Sequence, residues 1–437
     1  MTALDVVARP LARAGRLPLL APLAGRDFRL VWAGESVSLL GDAFQTVAVS
    51  YLVLGLTGSG LALGAILVAA AIPRGVFMLL GGVLADRISP RDLALGSNVL
   101  RALLTSIVAI LVVGGRIEIW QLAVVGAVFG TVDAVFLHAI NTLVPRLVPP
   151  NRLAAANALM QGTAQLMGTV GPAVAGFAIA LIGVGIAFVI DAASFAVAAL
   201  ALWLVRSGAT AVRPTEPDEA SAAPAVAPQP SIASSLVEGA RVVLGDPVMR
   251  SIVVISTAIN LAFTGPTVVG LPWLVLVGFG GDALALGLLF AAFGAGSLSG
   301  VVLGGSLRRP RWFGSLVLGL VIVTGVGLGA IGVAPSVPVA ALILLSIGVM
   351  IGYVNVVMIA WVQEKTDPLM LGRTMSFLML GSVVAAPLSI ALAALVVDTN
   401  AGAMFILAGA LVVVSGLIAI VSGLPRRMNE AGATIRS

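Results

Sequence analysis

Apolar residues in this chain occur in blocks of about twenty, separated by short stretches that carry glycine, proline and charge. A block of that length crosses the ~30 Å hydrocarbon core of a bilayer as one α-helix. The pattern therefore predicts an all-α membrane protein with twelve transmembrane helices. Their approximate bounds are 28–56, 60–85, 92–113, 119–145, 152–181, 184–205, 248–277, 283–307, 312–333, 336–362, 370–396 and 401–424.

The composition excludes the alternative of several soluble domains. Hydrophobic residues make up 59% of the 437 residues and charged residues 10%, whereas a soluble domain is about a quarter charged. The chain has no cysteine and a single histidine, so disulfide scaffolds and thiolate or histidine-cluster metal sites are excluded. We therefore expect neither a metal nor a cofactor.

The distribution of basic residues predicts the orientation. An even number of spans puts both termini on one side of the membrane. If that side is the cytoplasm, 21 of the 24 lysines and arginines lie in cytoplasmic segments or at their helix ends; the others are Arg116 outside and Arg74 and Arg101 within helices. This asymmetry follows the positive-inside rule. The net charge of +5 thus reflects the membrane topology and does not indicate nucleic-acid binding. Binding of anionic lipid headgroups is a lesser alternative.

A polar stretch divides the twelve spans into six and six. Residues 207–231 contain five prolines among alanine, serine and acids, a composition typical of a flexible linker. Residues 231–245 then alternate apolar and charged positions, which predicts a short amphipathic helix at the membrane surface. The predicted domains are an N-terminal cytoplasmic tail (1–27), a six-helix bundle (28–206), a cytoplasmic linker with the amphipathic helix (207–246), a second six-helix bundle (247–424) and a C-terminal cytoplasmic tail (425–437).

The two halves repeat one local pattern. Residues 153–159 open the fifth span, which meets Gly171-Pro172 some four turns later, and residues 369–375 open the eleventh, which meets Ala386-Pro387. Duplicated six-helix halves are a common plan of secondary transporters, whose substrate site lies between the halves near the bilayer midplane.

Two further segments carry a distinctive pattern. The loop between the second and third spans has a glycine, then an acid–arginine pair, then another arginine: Gly82, Asp86, Arg87 and Arg91. The fifth span combines three glycines with a proline: Gly168, Gly171, Pro172 and Gly176. Glycines of this kind allow close approach of neighbouring helices, and the proline removes one backbone hydrogen bond.

These segments resemble the signature loop and the antiporter helix of the major facilitator superfamily, in particular its drug:proton antiporter branch related to macrolide and siderophore exporters. Ser89, Pro90 and Ala175 depart from that pattern, which usually has glycine, a basic residue and glycine there. The resemblance covers about 28–424, and it also rests on Leu39–Asp42, Phe129-Gly130, Asp133-Ala134, Phe136, Val148–Ala158 and Asp191–Phe195. It implies two pseudo-symmetric six-helix halves, a monomer and a bacterial inner (plasma) membrane location.

The resemblance also implies a gating role for the loop. The Asp86 carboxylate would act as a latch against Arg87, Arg91 or the amino-terminal end of the eleventh helix, beside Arg373. A solvated loop charge is the alternative interpretation of Asp86. The corresponding loop in the second half, residues 304–311, keeps the basic residues and lacks the acid.

Ionisable residues inside the predicted spans are the strongest functional signal. Each costs about 3 kcal/mol on insertion scales, so such residues usually serve function. Away from the ends of the spans seven of them occur, all in the first half: Glu35, Asp42, Arg74, Arg101, Asp133, His138 and Asp191. The helical rise of ~1.5 Å per residue places Asp42, Arg74 and Asp133 near the midplane, and Glu35 and Arg101 at a common depth in the inner third. Asp191 is placed nearer the outer side.

We assign proton coupling to Asp42, Asp133, Arg74 and Glu35. One arginine neutralises one acid, so the other midplane acid is left uncompensated and available for a proton. Asp42 is the predicted carrier and Asp133 the predicted partner of Arg74, with the reverse assignment open. Structural ion pairs are the alternative, above all for a Glu35–Arg101 pair and for Asp191. His138 is interpreted as a packing residue.

The predicted substrate cavity is mostly apolar. Its candidate lining residues are Gln45, Asn260, Phe263, Tyr353 and Asn355. Pro266 and Pro272 predict that the seventh helix is broken. Apolar walls with few hydrogen-bonding groups and a carboxylate suit lipophilic, often cationic, compounds better than sugars or phosphates.

The leading hypothesis is a proton-coupled exporter of small amphiphilic molecules, with the substrate, protons and membrane lipids as partners. A narrow exporter of one siderophore, lipid or metabolite and a nontransporting membrane scaffold are the alternatives. An intramembrane hydrolase is disfavoured because the chain has no cysteine, no histidine pair and no Gly-x-Ser-x-Gly segment. The sole lysine, Lys365, is not part of an ATP-binding loop, so the energy source must be an ion gradient.

Overall fold

The computed structural model describes residues 18–85, 88–206, 241, 245–307, 310, 312–366 and 370–433, with the backbone alone described at 79–85, 371–373, 375–380, 382 and 430–433. The predicted linker and amphipathic helix therefore lie almost entirely outside the described residues. Within the described part of the chain every regular element is a helix.

The long helices follow the apolar blocks of the sequence. They are α1 (Arg26–Thr57), α2 (Gly60–Ala85), α3 (Pro90–Val113), α4 (Ile119–Leu147), α5 (Leu153–Ile182), α6 (Val184–Trp203), α7 (Pro247–Gly278), α8 (Ala283–Ser306), α9 (Phe313–Ile331), α10 (Val337–Lys365) and α11 (Leu371–Val421), followed by the short α12 (Leu424–Ala433).

Eleven of these helices are long and apolar enough to cross a membrane. The apolar part of the last one, Val383–Val421, has 39 residues, which at ~1.5 Å each is roughly 58 Å, about twice the hydrocarbon core. Its backbone leaves the helical region at Asn400, with φ −160° and ψ 87°. Two membrane-spanning helices therefore meet at Asn400. The prediction of an all-α membrane fold is confirmed.

The chain forms two compact units. The first comprises Met1–Thr57, Ala65–Val212 and Gly280–Ala291, and the second comprises Gly58–Gly64, Arg213–Phe279 and Ala292–Ser437. The predicted domain bounds stay a prediction. Helices α2 and α8 each place their first turns in the other unit. Two helices are thus shared between units, which the apolar pattern alone does not indicate.

Parts of both predicted tails are packed. A short 3-10 helix, Pro18–Ala24, buries Leu23 in the core of the first unit. At the other end α12 buries Leu424 and Met428, which lie one turn apart on the same helix face. The side-chain oxygen of Asn429 accepts the N–H of Gly314 at 2.8 Å. The ordered core therefore extends beyond the predicted boundaries at 27 and 425.

Helix α7 is broken, as its prolines predict. Segments Pro266–Gly270 and Leu274–Gly278 are π-helical. The Ser389 hydroxyl from α11 inserts just before the first of them: it accepts the N–H of Gly265 at 2.7 Å and donates to the carbonyl of Leu261 at 2.5 Å. Those two backbone groups would bond each other in a continuous helix. Ser389 thus satisfies the backbone that the break exposes.

Ser389→Ala is expected to destabilise the fold by about 1–3 kcal/mol, because Gly265 and Leu261 lose their shared partner. The readout is the midpoint of thermal unfolding in detergent. Ser415→Ala is the matched control, since the Ser415 hydroxyl donates to Val412 within its own helix. Equal midpoints for the two variants would show that α7 closes the Gly265–Leu261 bond unaided.

Glycines hold α8 and α10 together within the second unit. A Cβ added at Gly296 or Gly300 of α8, or at Gly348 or Gly352 of α10, would lie less than 3.0 Å from the backbone of the facing helix. The two backbones are therefore in direct contact. The signal is visible in the sequence as glycines four residues apart on each helix.

Gly300→Ala is expected to destabilise the protein by about 1–3 kcal/mol, because its Cβ would meet the Val349 carbonyl and force α8 and α10 apart. Gly305→Ala, on the same helix, is the control, since nothing lies within 4 Å of its added Cβ. Thermal unfolding of both variants in detergent measures the difference. Coincident curves would mean that the contact relaxes without cost.

Candidate functional site

The polar centre of the first unit is Asp133 on α4, which pairs with two arginines. One carboxylate oxygen lies 2.8 Å from Nη2 of Arg74 on α2, and the other is bonded to Nη2 of Arg101 on α3. The depth argument predicts the contact between Arg74 and Asp133. The second arginine corrects the expectation that Arg101 pairs with Glu35. Depth along a helix axis does not tell which way a side chain points around that axis, and Arg101 points to α4.

A close helix approach brings Arg74 and Asp133 together. A Cβ added at Gly130 would lie less than 3.0 Å from the backbone of Ala70, so α2 and α4 touch there. Arg74 follows Ala70 by four residues and Asp133 follows Gly130 by three, so each charge lies one turn from the contact. The small residues thus hold the two charged groups within reach of each other.

Arg101 lies in an aromatic cage. Its guanidinium carbon is 4.2 Å from the ring centre of Phe136, 5.4 Å from that of Phe195 and 5.5 Å from that of Phe129. The side chain is only 1% exposed. Ring faces stabilise a desolvated cation, but they do not neutralise it, so the Asp133 carboxylate supplies the compensating charge.

Glu35 and Asp42 stand on α1 beside this cluster. Both are partly exposed, and both interact electrostatically with Arg101 and Asp133. Seven residues apart, they share one stripe of the helix. No ion pair involves either of them within the described part of the chain. The predicted proton-coupling residues are therefore brought together in one unit.

The carboxyl groups outnumber the arginines in this cluster. Its four acids are Glu35, Asp42, Asp133 and Asp191, and its two guanidinium groups are those of Arg74 and Arg101. Glu35 and Asp191 each interact electrostatically with Asp42 and Arg101, and Asp42 also interacts with Asp133 and Arg74. His138 contacts its own helix, with its Nδ1 3.0 Å from the carbonyl oxygen of Ala134. Full ionisation would leave two uncompensated negative charges inside the bundle. Such a site is suited to taking up protons.

Only part of the signature loop can be placed. Asp86 and Arg87 lie outside the described residues, Gly82 lies in the last turns of α2, and Arg373 contributes backbone to the start of α11. The Asp86 latch therefore stays a prediction.

Arg91 caps the carboxyl end of α6. Its Nε donates to the carbonyl of Leu202 at 3.0 Å and its Nη2 to that of Trp203 at 2.6 Å. A cation there also complements the negative end of the helix dipole. The two departures from the family pattern have a local reason, because Ser89 is the N-cap of α3, accepting from the Asp92 N–H, and Pro90 takes the first helical position.

Helix α5, whose sequence resembles the antiporter helix, is tightly packed at two of its three predicted glycines. An added Cβ at Gly171 would meet the Cβ of Ala43 at 2.5 Å, and one at Gly176 would collide with the backbone of Ala283 in the first turns of α8. Gly168 differs from the prediction: it is exposed and has no described atom within 4 Å of an added Cβ. Helices that cross diverge on either side of the crossing, and α8 crosses α5 at Pro172–Gly176.

The predicted cavity residues lie in different surroundings. Gln45 is partly exposed on α1. In the second unit, Asn260 donates to its own helix at Ser256, and the Phe263 ring lies 5.2 Å from that of Phe293. Tyr353 is buried against α8, whereas Asn355 is exposed. Residues two apart on a helix point about 200° apart, so Tyr353 and Asn355 cannot line the same surface.

Comparison with known proteins places the chain among transporters. The sequence profile of the Major Facilitator Superfamily matches residues 31–379. The chain is similar to macrolide efflux protein A of Streptococcus pyogenes, with 23% identity over 85% of this chain and 89% of that one. It is also similar to an uncharacterized MFS-type transporter, y4rN, of Sinorhizobium fredii, with 26% identity over 87% and 90% of the two chains.

Solved structures share the fold. The nucleoside transporter NupG has a TM-score of 0.68 and 15% identity, covering 90% of this chain and 98% of its own. A bacterial homologue of the iron transporter ferroportin, in an inward-facing state, has a TM-score of 0.66 and 15% identity, covering 92% and 98%. At these identities the likeness concerns the fold alone.

Proposed function

Since the chain belongs to the Major Facilitator Superfamily, and is thus a membrane transporter of small molecules and not an enzyme, we propose that it exports amphiphilic or lipophilic compounds in exchange for protons. It works as a monomer by alternating access, in a bacterial inner membrane with both termini in the cytoplasm. The two compact units are the parts that alternate.

The observation that carries proton coupling is the surplus of acids around Asp133. Two arginines compensate Asp133, and Glu35 and Asp42 beside it have no ion pair within the described residues. An isolated carboxylate inside a bundle is costly unless it is protonated. Asp42 is assigned as the carrier, and Glu35, on the same stripe of α1, connects it with the cytoplasm.

The substrate class is inferred from the relatives and from the residues. Macrolide efflux proteins supply the direction of transport and one class of large amphiphilic substrate. The assigned contact residues are Gln45, Asn260 and Phe263. Two amides and an aromatic side chain offer few hydrogen-bonding groups, which favours lipophilic compounds over sugars or phosphates.

Proteoliposomes with an acidic lumen test the proposal. Protein molecules inserted inside-out should accumulate a macrolide or a lipophilic cation against its gradient, and dissipating the pH gradient should stop accumulation. Empty liposomes correct for passive trapping of weak bases. Transport of a single compound from a broad panel would favour the narrow exporter, and no transport of any compound would favour the scaffold.

Asp86→Asn is expected to slow transport at least tenfold while leaving expression and monomeric behaviour unchanged. The reason is the proposed latch, which needs a carboxylate to face Arg87 or the amino-terminal end of α11 near Arg373. Turnover in proteoliposomes is the readout, and Asp92→Asn in the same region is the control. Turnover within twofold of the unmodified protein would exclude the latch.

A further inference from the structure

A second acidic site lies behind the Asp133 cluster, at Asp191 on α6. The side chain is fully buried, at 0% exposure. Within the described residues neither carboxylate oxygen has a hydrogen-bond partner. The neighbouring Ser194 hydroxyl does not supply one, because it donates to the backbone carbonyl of Asp191 at 2.7 Å.

Polar atoms without partners among the described residues line one face of α3, the helix from which Arg101 and Thr105 interact with this carboxyl group. Asn98, Arg101 and Thr105 are spaced three and four residues apart and are all buried. Both side-chain atoms of Asn98, Nε of Arg101 and the Thr105 hydroxyl lack partners among the described residues. The Thr105 hydroxyl approaches Asp191 without reaching hydrogen-bonding geometry.

A glycine on α1 makes room for the carboxyl group. A Cβ added at Gly41 would lie 2.6 Å from Oδ1 of Asp191 and would also collide with the Ser194 side chain. The next residue along α1 is Asp42. The absence of a side chain at Gly41 therefore lets the α1 backbone pack directly against the Asp191 carboxyl group, beside the assigned proton carrier.

The charges around Asp191 decide what occupies this site. Arg101 on α3 is its cationic neighbour and is already bonded to Asp133 on α4; Asp42 faces it from α1 and adds negative charge. Arg74 on α2 is engaged with Asp133. An ionised carboxylate without donors is costly in such surroundings, and a metal cation would be repelled by the Arg101 guanidinium. A proton satisfies the carboxyl group without adding net positive charge.

We infer that Asp191 is a second proton-binding site of the transporter, occluded in this state and adjacent to Asp42 where α6 packs against Gly41. On release, the Asp191 O–H bond breaks and the proton passes to the Asp42 carboxylate. The new Asp191 anion then attracts Arg101 away from Asp133, whose remaining partner is Arg74. Arg101 thus acts as a switch between two acids. This inference rests on the proposed proton coupling.

Infrared spectroscopy tests the site directly. The purified, reconstituted protein should show the C=O stretch of a protonated carboxyl group, lost on alkaline titration and perturbed by a bound macrolide. Asp191→Asn should remove this band. Thr105→Val, which keeps the shape and removes the nearby hydroxyl, should shift it, so the band can be assigned even if the asparagine variant does not fold.

Proton counting supplies the second readout. Macrolide-induced proton release should fall by about half in Asp191→Asn, because Asp42 still releases its own proton, and it should vanish in Asp42→Asn, because the Asp191 proton leaves through Asp42. Full release from Asp191→Asn, a carboxyl band insensitive to pH and macrolide, or a band lost on adding sodium would each overturn the inference. If the unmodified protein releases no protons, the proposed coupling fails, while the pH titration of the band still decides whether Asp191 binds a proton.

Discussion

Asp42→Asn is expected to abolish uphill export and to leave downhill exchange measurable. The asparagine has nearly the shape of the aspartate and cannot carry a proton, so substrate movement is uncoupled from the pH gradient. Asp42 has no ion pair among the described residues, so its neutralisation orphans no cation and should leave thermal stability close to that of the unmodified protein.

Asp133→Asn is the matched comparison, with the opposite profile. It removes the negative charge that compensates both Arg74 and Arg101, and Arg101 is 1% exposed within its aromatic cage. Removing one partner of a buried ion pair costs about 3–5 kcal/mol. We therefore expect a lower thermal midpoint and loss of all transport modes, including counterflow.

Uphill accumulation, counterflow and thermal unfolding should be measured on both variants in parallel. If Asp133→Asn keeps its stability and loses only uphill transport, while Asp42→Asn unfolds, the two roles are reversed. If Asp42→Asn retains uphill accumulation, Asp42 is not the carrier.

Gly130→Ala is expected to reduce transport at least tenfold, because the added methyl group would collide with the Ala70 backbone and separate α2 from α4. Arg74 and Asp133, each one turn away, would then lose their 2.8 Å contact. Overpacking of this kind also costs about 1–3 kcal/mol of stability.

Gly126→Ala, one turn earlier on α4, is the control for this effect. Its added Cβ would make ordinary contacts with Ile66 and Ala70 at 3.6 and 3.7 Å. Transport and thermal unfolding of the two variants show whether the effect is specific to Gly130 or whether any alanine on this face of α4 reduces transport and stability. Equal transport by both would show that the helix contact does not position the ion pair.

The sequence predicts the fold because bilayer crossing is a one-dimensional constraint. The lengths of the apolar runs and the charged residues between them locate the spans. The distance of Asp133 from the end of its helix places it at the same membrane depth as Arg74. Depth does not determine the direction around the helix axis, and for this reason the prediction paired Arg101 with Glu35 and did not find Asp133 between two arginines.

Packing details are harder to predict because they depend on where helices cross. Gly168 and Gly176 look alike in the sequence, but only Gly176 lies at the crossing with α8. The broken α7 follows from its prolines, whereas the Ser389 hydroxyl that bridges Leu261 and Gly265 comes from a helix more than a hundred residues away. One sequence does not indicate such a pairing.

Substrate-driven proton release tests proton coupling most directly. Purified protein in weakly buffered detergent solution is mixed with a macrolide, and the pH is followed with a soluble dye. Release is predicted for the unmodified protein, and no release is predicted for Asp42→Asn. An unmodified protein that binds the macrolide and releases no proton at any pH between about 5 and 9 would contradict proton-coupled export.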